Sequence, residues 1–206
     1  MPVSRRRPGD DGRRPGDLDR PQATFYYDVG SPDAYLAAER VVDVLGTVPE
    51  FVPVRIGGPG GVRCAEEETI YRSDIERRAA AYGLMPVRWP AEFPADTEWA
   101  MLVATYARQT GRVVAYSMAA FRQAFAAGRD LGDRDSVLIA AAAAEMHPAA
   151  VLKAAELRGT RARLAAATDA ARAAGVRDVP AVRVGAHVFH GDRELEAAAR
   201  ALVAAA

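Results

Sequence analysis

Residues 28–36 read Asp28-Val29-Gly30-Ser31-Pro32-Asp33-Ala34-Tyr35-Leu36. The run that leads into them, Ala23-Thr24-Phe25-Tyr26-Tyr27-Asp28-Val29, is rich in β-forming residues and predicts a strand. Gly30-Ser31-Pro32 breaks it. Ala34 to Leu45 then carries apolar residues at helical spacing and stops at Gly46. Ser31 therefore stands where a strand hands over to a helix. Pro32 suits the first helical position, where its fixed φ and missing N–H cost nothing. The helix start offers unpaired N–H groups and a partial positive charge. That setting stabilises a nearby anion, a thiolate above all, and lowers its pKa. Ser31 itself stays neutral but can donate its O–H to such a thiolate. Ser-Pro at a helix start is also an ordinary N-cap pair, so these residues alone leave the function open.

Outward from this point the pattern is regular. Glu50-Phe51-Val52-Pro53-Val54-Arg55-Ile56 predicts a second strand. A helix separates the two strands, so they should be parallel in a right-handed βαβ unit. The middle of the chain is all helix: the spacing predicts helices over 70–82, 97–110, 114–127, 135–145, 148–157 and 160–174. Their alanine content favours helix. The chain then returns to β with Pro180-Ala181-Val182-Arg183-Val184 and His187-Val188-Phe189, joined by a two-residue turn at Gly185-Ala186. Residues 193–204 close as an amphipathic helix. The α/β order is βαβ, a helical block, then ββα, with no internal repeat. Before the third strand comes Gly175-Val176-Arg177-Asp178-Val179-Pro180. Its proline suits a strand's first residue and permits a cis peptide.

Composition narrows the function classes. Half of the 206 residues are hydrophobic, enough for a substantial core. Lys plus Arg and Asp plus Glu both number 27, and no basic stripe with interleaved aromatics suggests nucleic-acid binding. No apolar run approaches the length of about 20 residues that spans a membrane. Cys64 is the only cysteine, so neither an intrachain disulfide nor a CxxC pair exists, and a bystander role is expected for it. His147, His187 and His190 form no metal-ligand spacing, so no metal is expected. Residues 1–22 are dominated by Arg, Asp, Pro and Gly and read as a disordered tail or the product of a misplaced start codon. Their arginines are not followed by the apolar stretch of an export signal, which makes the cytoplasm the expected compartment.

Taken together, these pieces resemble the thioredoxin superfamily, with Ser31-Pro32-Asp33-Ala34 in place of Cys-Pro-x-Cys and Val179-Pro180 in place of the cis-proline loop. The helical block resembles the insertion of the DsbA-like branch. Within that branch the chain is most similar to the glutathione-dependent group of 2-hydroxychromene-2-carboxylate isomerase and kappa-class glutathione transferase. The matching segments are FYYDVGSPDAYLAAERV, YRSDIERRAAAYGLMPVRWPAEFPADTEWAMLVATYA and AARAAGVRDVPAVRVGAHVFHGDRELEAAARAL, in the right order. The resemblance implies a thioredoxin-like domain over 23–65 and 166–206, with a helical insertion over 66–165.

It also implies a function. Ser31 would hydrogen-bond the sulfur of glutathione, whose thiolate adds to an unsaturated carbonyl compound and then leaves, giving an isomerisation. The backbone of Val179, beside Pro180, would pair with the cofactor's cysteinyl unit. The segment His190-Gly191-Asp192-Arg193 would hold the γ-glutamyl end. This segment is one residue shorter than the family's Trp-Gly-x-Asp-Arg, which leaves the placing of Asp192 open. Phe93-Pro94-Ala95-Asp96 stands for Phe-Pro-x-Asn and replaces an amide by a carboxylate that cannot donate. The loop after the second strand lacks the family's lysine and asparagine, leaving Arg63 as its cation. Trp89, Phe93, Asp96 and Arg63 are thus the substrate-side candidates, although Trp89 and Trp99 also read as core of the helical block. The cluster Arg72-Ser73-Asp74-Ile75-Glu76-Arg77-Arg78 reads as a solvated helix face with an Asp74–Arg78 pair.

The Ala- and Arg-rich composition resembles that of high-GC actinobacteria, where mycothiol often replaces glutathione, so either thiol is an expected cofactor. The expected partner is a small molecule; the resemblance adds a homodimer. Three rival readings stand beside it: a glutathione transferase, a DsbA-type oxidoreductase in name and fold, and a non-catalytic thioredoxin-like binding protein. The second would need a cysteine at position 31 or 34, and neither is there.

Overall fold

In the computed structural model, residues 22–57 and 64–205 are described. The tail expected over 1–22 lies outside them except for Gln22, and so does Arg63. Strand β1 (Thr24–Tyr27) leads through Ser31 into helix α1 (Pro32–Leu45), which returns to β2 (Glu50–Pro53). Six helices follow: α2 (Ala65–Ala81), α3 (Glu98–Gln109), α4 (Val113–Phe125), α5 (Arg134–Ala143), α6 (Pro148–Glu156) and α7 (Arg158–Ala173). Strands β3 (Ala181–Val184) and β4 (His187–His190), a 3-10 turn (Asp192–Glu194) and α8 (Leu195–Ala204) complete the chain.

The sheet order is β2-β1-β3-β4. β1 and β2 are parallel, as the intervening helix requires, and β3 runs antiparallel to both β1 and β4. Gly185 takes φ +57° in the β3–β4 turn, a conformation that favours glycine. Every strand is four residues long, so the helices carry much of the core.

Both faces of β1 are buried. Phe25 and Tyr27 point into the main core with Phe51, Tyr35 and Phe121 of the inserted α4; the Tyr27 and Phe121 rings lie 5.7 Å apart. Tyr26 points the other way, into a smaller cluster with Val52, Val54 and Ala171 of α7. The inserted helices therefore complete the sheet's packing instead of forming a separate core. This is why neither tyrosine of the Tyr26-Tyr27 pair faces solvent.

Element ends differ from the sequence expectations in places with a clear cause. α2 begins at Ala65 instead of residue 70, because Glu66, Glu67 and Glu68 in its first turn suit the positive end of the helix dipole. β2 stops at Pro53: two residues on, the Arg55 N–H donates to Thr168 Oγ1 of α7 (3.0 Å) instead of to a strand. The closing helix starts at Leu195, two residues late, since Asp192–Glu194 forms the tighter turn.

Candidate active site

Ser31 is the N-cap of α1, with extended backbone and a side chain that accepts from the Ala34 N–H (3.2 Å). This is the ordinary capping role, and Pro32 at the first helical position completes it. Ser31 is 7% exposed. Its O–H points at the carbonyl of Val179, 148 residues away, over a long 3.5 Å contact. The Val179–Pro180 peptide is cis. The Val179 N–H donates to Asp178 Oδ1 (2.8 Å), and the Pro180 carbonyl accepts from the Gly191 N–H (2.8 Å). The fold thus brings Ser31, Val179, Pro180 and Gly191 to one place.

A cleft of about 70 Å³ opens beside Ser31, lined by Asp28, Arg55, Thr97 and Val179. Asp28 accepts from the Gly30 N–H (2.9 Å) and from the Thr97 hydroxyl (2.9 Å). A Cβ on Gly30 would lie 2.7 Å from Thr97 Cγ2, so only glycine permits this approach. Burial pushes the Asp28 carboxyl above the usual carboxylate range and outweighs the Gly30 N–H, Arg55 and Thr97, which all favour its ionised form. Arg55 Nη1 donates to Thr97 Oγ1 (3.1 Å) and lies 3.7 Å from Asp28 Oδ2. Arg55 was not among the residues expected from sequence to serve the site. Its signal was a charge set in the apolar run Phe51-Val52-Pro53-Val54-Arg55-Ile56, on a chain about to leave its strand.

The other flank of the α1 start is an ion hub. Arg78 of α2 reaches Asp33 Oδ1 with Nη2 (2.7 Å), Asp74 Oδ2 with Nε (2.8 Å) and Asp192 Oδ1 with Nη1. The Tyr71 hydroxyl donates to Asp33 (2.6 Å), and the Tyr82 hydroxyl donates to Asp192 (2.9 Å). Arg40 donates to the Asp192 carbonyl (3.1 Å), and Arg193 reaches both oxygens of Asp74 (3.2 and 3.1 Å). Burial opposes ionisation of Asp74, but Arg78, Arg193 and Arg77 outweigh it and hold its carboxyl below the usual range. The expected Asp74–Arg78 pair is present, yet the face is not simply solvated: the Arg78 side chain is 8% exposed. Three aspartates surround it, which is what makes burial of a guanidinium tolerable. Asp192 is 2% exposed and spends its carboxylate on Arg78 and Tyr82, whereas Arg193 stays at the surface.

The remaining candidates fall around this centre. His190 Nε2 accepts from the Arg177 N–H (3.1 Å), which ties the end of β4 to the loop before Pro180. Trp89 and Phe93 are half-buried, meet edge-to-face at 5.0 Å and pack on the main core. The Trp89 indole donates to Glu76 (2.7 Å), and the Arg72 guanidinium lies over both rings. The Phe93–Pro94 peptide is also cis. Asp96 is exposed and accepts from the Glu98 N–H (3.0 Å) at the start of α3. Cys64 is exposed at the start of α2. Among the described residues, no group of three or more His, Cys, Asp or Glu is placed to hold a metal, and no helix is long and apolar enough to cross a membrane.

The model of the DSBA-like thioredoxin domain matches residues 22–203. The chain belongs to the DSBA-like thioredoxin family. Members of known structure share its fold at low identity. A 2-hydroxychromene-2-carboxylate isomerase superposes with a TM-score of 0.78 at 18% identity, covering 88% of this chain and 94% of the other. A probable DsbA oxidoreductase from Streptomyces coelicolor gives 0.75 at 19% identity, with 90% of each chain covered. The cytosolic disulfide reductase DsbM from Pseudomonas aeruginosa, in a structure with GSH, gives 0.59 at 14% identity, covering 88% of this chain and 96% of the other. A search of the curated proteins finds no match to the sequence. In this DSBA-like chain a serine and an alanine occupy positions 31 and 34, where a CxxC pair would place its two thiols.

Proposed function

We propose that this protein is a thiol-cofactor-dependent isomerase acting in the cytoplasm on a small aromatic or unsaturated carbonyl compound, with Ser31 as its catalytic residue. One observation carries the reading. The Ser31 oxygen is spent on capping α1, but its O–H makes only the long 3.5 Å contact with the Val179 carbonyl. A donor with so little engaged, at the positive end of a 14-residue helix, is suited to a thiolate brought from outside. The chain has no thiol of its own at position 31 or 34, which disfavours dithiol redox chemistry.

A low-molecular-weight thiol, when bound, would supply a nucleophile for reversible addition to the substrate. Ser31 donates its O–H to the sulfur, and the start of α1 favours negative charge there. The Val179 backbone pairs with the cofactor's cysteinyl unit, while the segment His190-Gly191-Asp192-Arg193 flanks its far end. The exposed edges of Trp89 and Phe93 stand on the substrate side with Asp96. Glutathione is the first choice of thiol, supported by the GSH-bound DsbM structure of the same fold. Mycothiol is the second, from composition.

A second reading, a thioredoxin-like binding protein without chemistry, is favoured by Val179. Its N–H and its carbonyl are both engaged within the chain. Calorimetric titration with glutathione and with mycothiol tests the main reading. Saturable heat with one of them is expected; no heat with either refutes the thiol cofactor.

A further inference from the structure

A second cavity, of about 330 Å³, lies between α3 and α7. The buried Leu102 and Leu164 form its apolar floor, and the exposed Ala165 lines it with Arg55, Arg161 and Arg172. Arg55 also lines the Ser31 cleft, so it is a residue that the two cavities share. The other two guanidiniums have carboxylate partners on the rim: Arg161 pairs with Glu98, and Arg172 with Asp169 at 3.3 Å. Arg55 differs. Its closest carboxylate oxygen, Asp28 Oδ2, is 3.7 Å away, beyond hydrogen-bond reach, and its Nη1 bond goes to a neutral hydroxyl. The Arg55 side chain is 41% exposed.

Its backbone is nevertheless fixed. The Arg55 N–H donates to Thr168 (3.0 Å), and its carbonyl accepts from Arg172 (3.2 Å). A guanidinium on a fixed backbone, its charge only loosely matched, between a cavity with an apolar floor and the Ser31 cleft, is suited to receive an anion.

We propose that Arg55 is the substrate's anion anchor: it binds a carboxylate, the ligand's apolar body lies in the α3–α7 cavity, and its reactive end is directed at Ser31. The last part rests on the reading of Ser31 given above; anion binding by Arg55 does not.

The matched probes are trans-cinnamate and cinnamamide, equal in shape and different in charge, titrated calorimetrically without thiol. The carboxylate should bind about tenfold tighter than the amide. Arg55→Met should erase that preference, Arg55→Lys should restore part of it, and Ala165→Trp, which sets a bulky ring in the cavity's lining, should weaken both probes. Ser31→Ala should leave the preference unchanged. Equal affinity of the two probes, binding of neither, or a preference that survives Arg55→Met overturns the proposal. Should Arg55→Met fail to fold, the lysine and Ala165→Trp variants decide. If the carboxylate preference holds while no thiol binds, the thiol reading fails and the anchor stands.

Discussion

The two flanks of the α1 start are made of the same residue types and do opposite things. On one side Arg78 is buried among Asp33, Asp74 and Asp192, and two tyrosine hydroxyls take up further carboxylate oxygens. On the other side Arg55 stands half-exposed, 3.7 Å from the nearer carboxylate oxygen of the partly buried Asp28. The first arrangement neutralises charge and ties α2 and the Asp192 turn to the helix that carries Ser31. The second leaves charge loosely matched beside the serine. An arginine's role here is set by how completely its neighbours match it, not by its nearness to Ser31.

The largest expected effect lies in the hub. Arg78→Met leaves Asp33 and the fully buried Asp192 without their cation. Breaking a buried pair from one side costs about 3–5 kcal/mol, to be read as a lower midpoint in urea denaturation. A loss under about 1 kcal/mol, the range of exposed pairs, would reduce the hub to surface decoration and dissolve the contrast between the flanks.

Ser31→Ala should affect both flanks unequally. The lost cap costs stability on the order of 1 kcal/mol. Isomerisation of 2-hydroxychromene-2-carboxylate in the presence of the thiol, followed by absorbance, should fall about tenfold or more, equivalent to about 1.4 kcal/mol of barrier. Insulin reduction should be undetectable in both proteins. A robust rate would contradict the reading of the cysteine-free site.

A smaller effect is expected at the cleft's rim. Asp178→Ala frees the Val179 N–H from its 2.8 Å intrachain bond. Thiol affinity measured by calorimetry should rise about threefold to tenfold, the worth of about one net hydrogen bond. Unchanged or weaker binding would show that the cofactor does not pair with this backbone group.

The smallest effect concerns Asp28. Its folded-state pKa is raised above the ordinary 3.8. Between those two values the native state binds more protons than the unfolded chain, so stability falls as pH rises through that window. Asp28→Asn removes this component. The difference in Tm between the two proteins should therefore depend on pH just above 3.8 and level off beyond the raised value. A difference independent of pH there would show that Asp28 ionises in place without cost.

Much of this molecule was legible along the chain. The strand-to-helix handover at Ser31 is written in local residue chemistry: β-formers, a glycine, a capping serine, a helix-starting proline. The parallel pairing of β1 and β2 follows from the helix between them. The helical block shows in alanine content and in a glycine after several helices. These are short-range preferences, and the sequence carries them directly. It also carries the missing cysteine, which no fold can supply.

Tertiary structure decided which charges are spent. Asp192 was open in its placing and proved to belong to the hub, because a shortened loop and a 3-10 turn aim it at α2. Arg78 looked solvated on its own helix, and α1 and Asp192 buried it. Arg55 fell within the predicted second strand with no role assigned, and the packed structure makes it a residue that two cavities share. Burial and ion pairing depend on partners about 40 to more than 100 residues away. Local pattern reports which face a residue takes, whereas the loss of its water and the arrival of a counter-charge are properties of the packed whole.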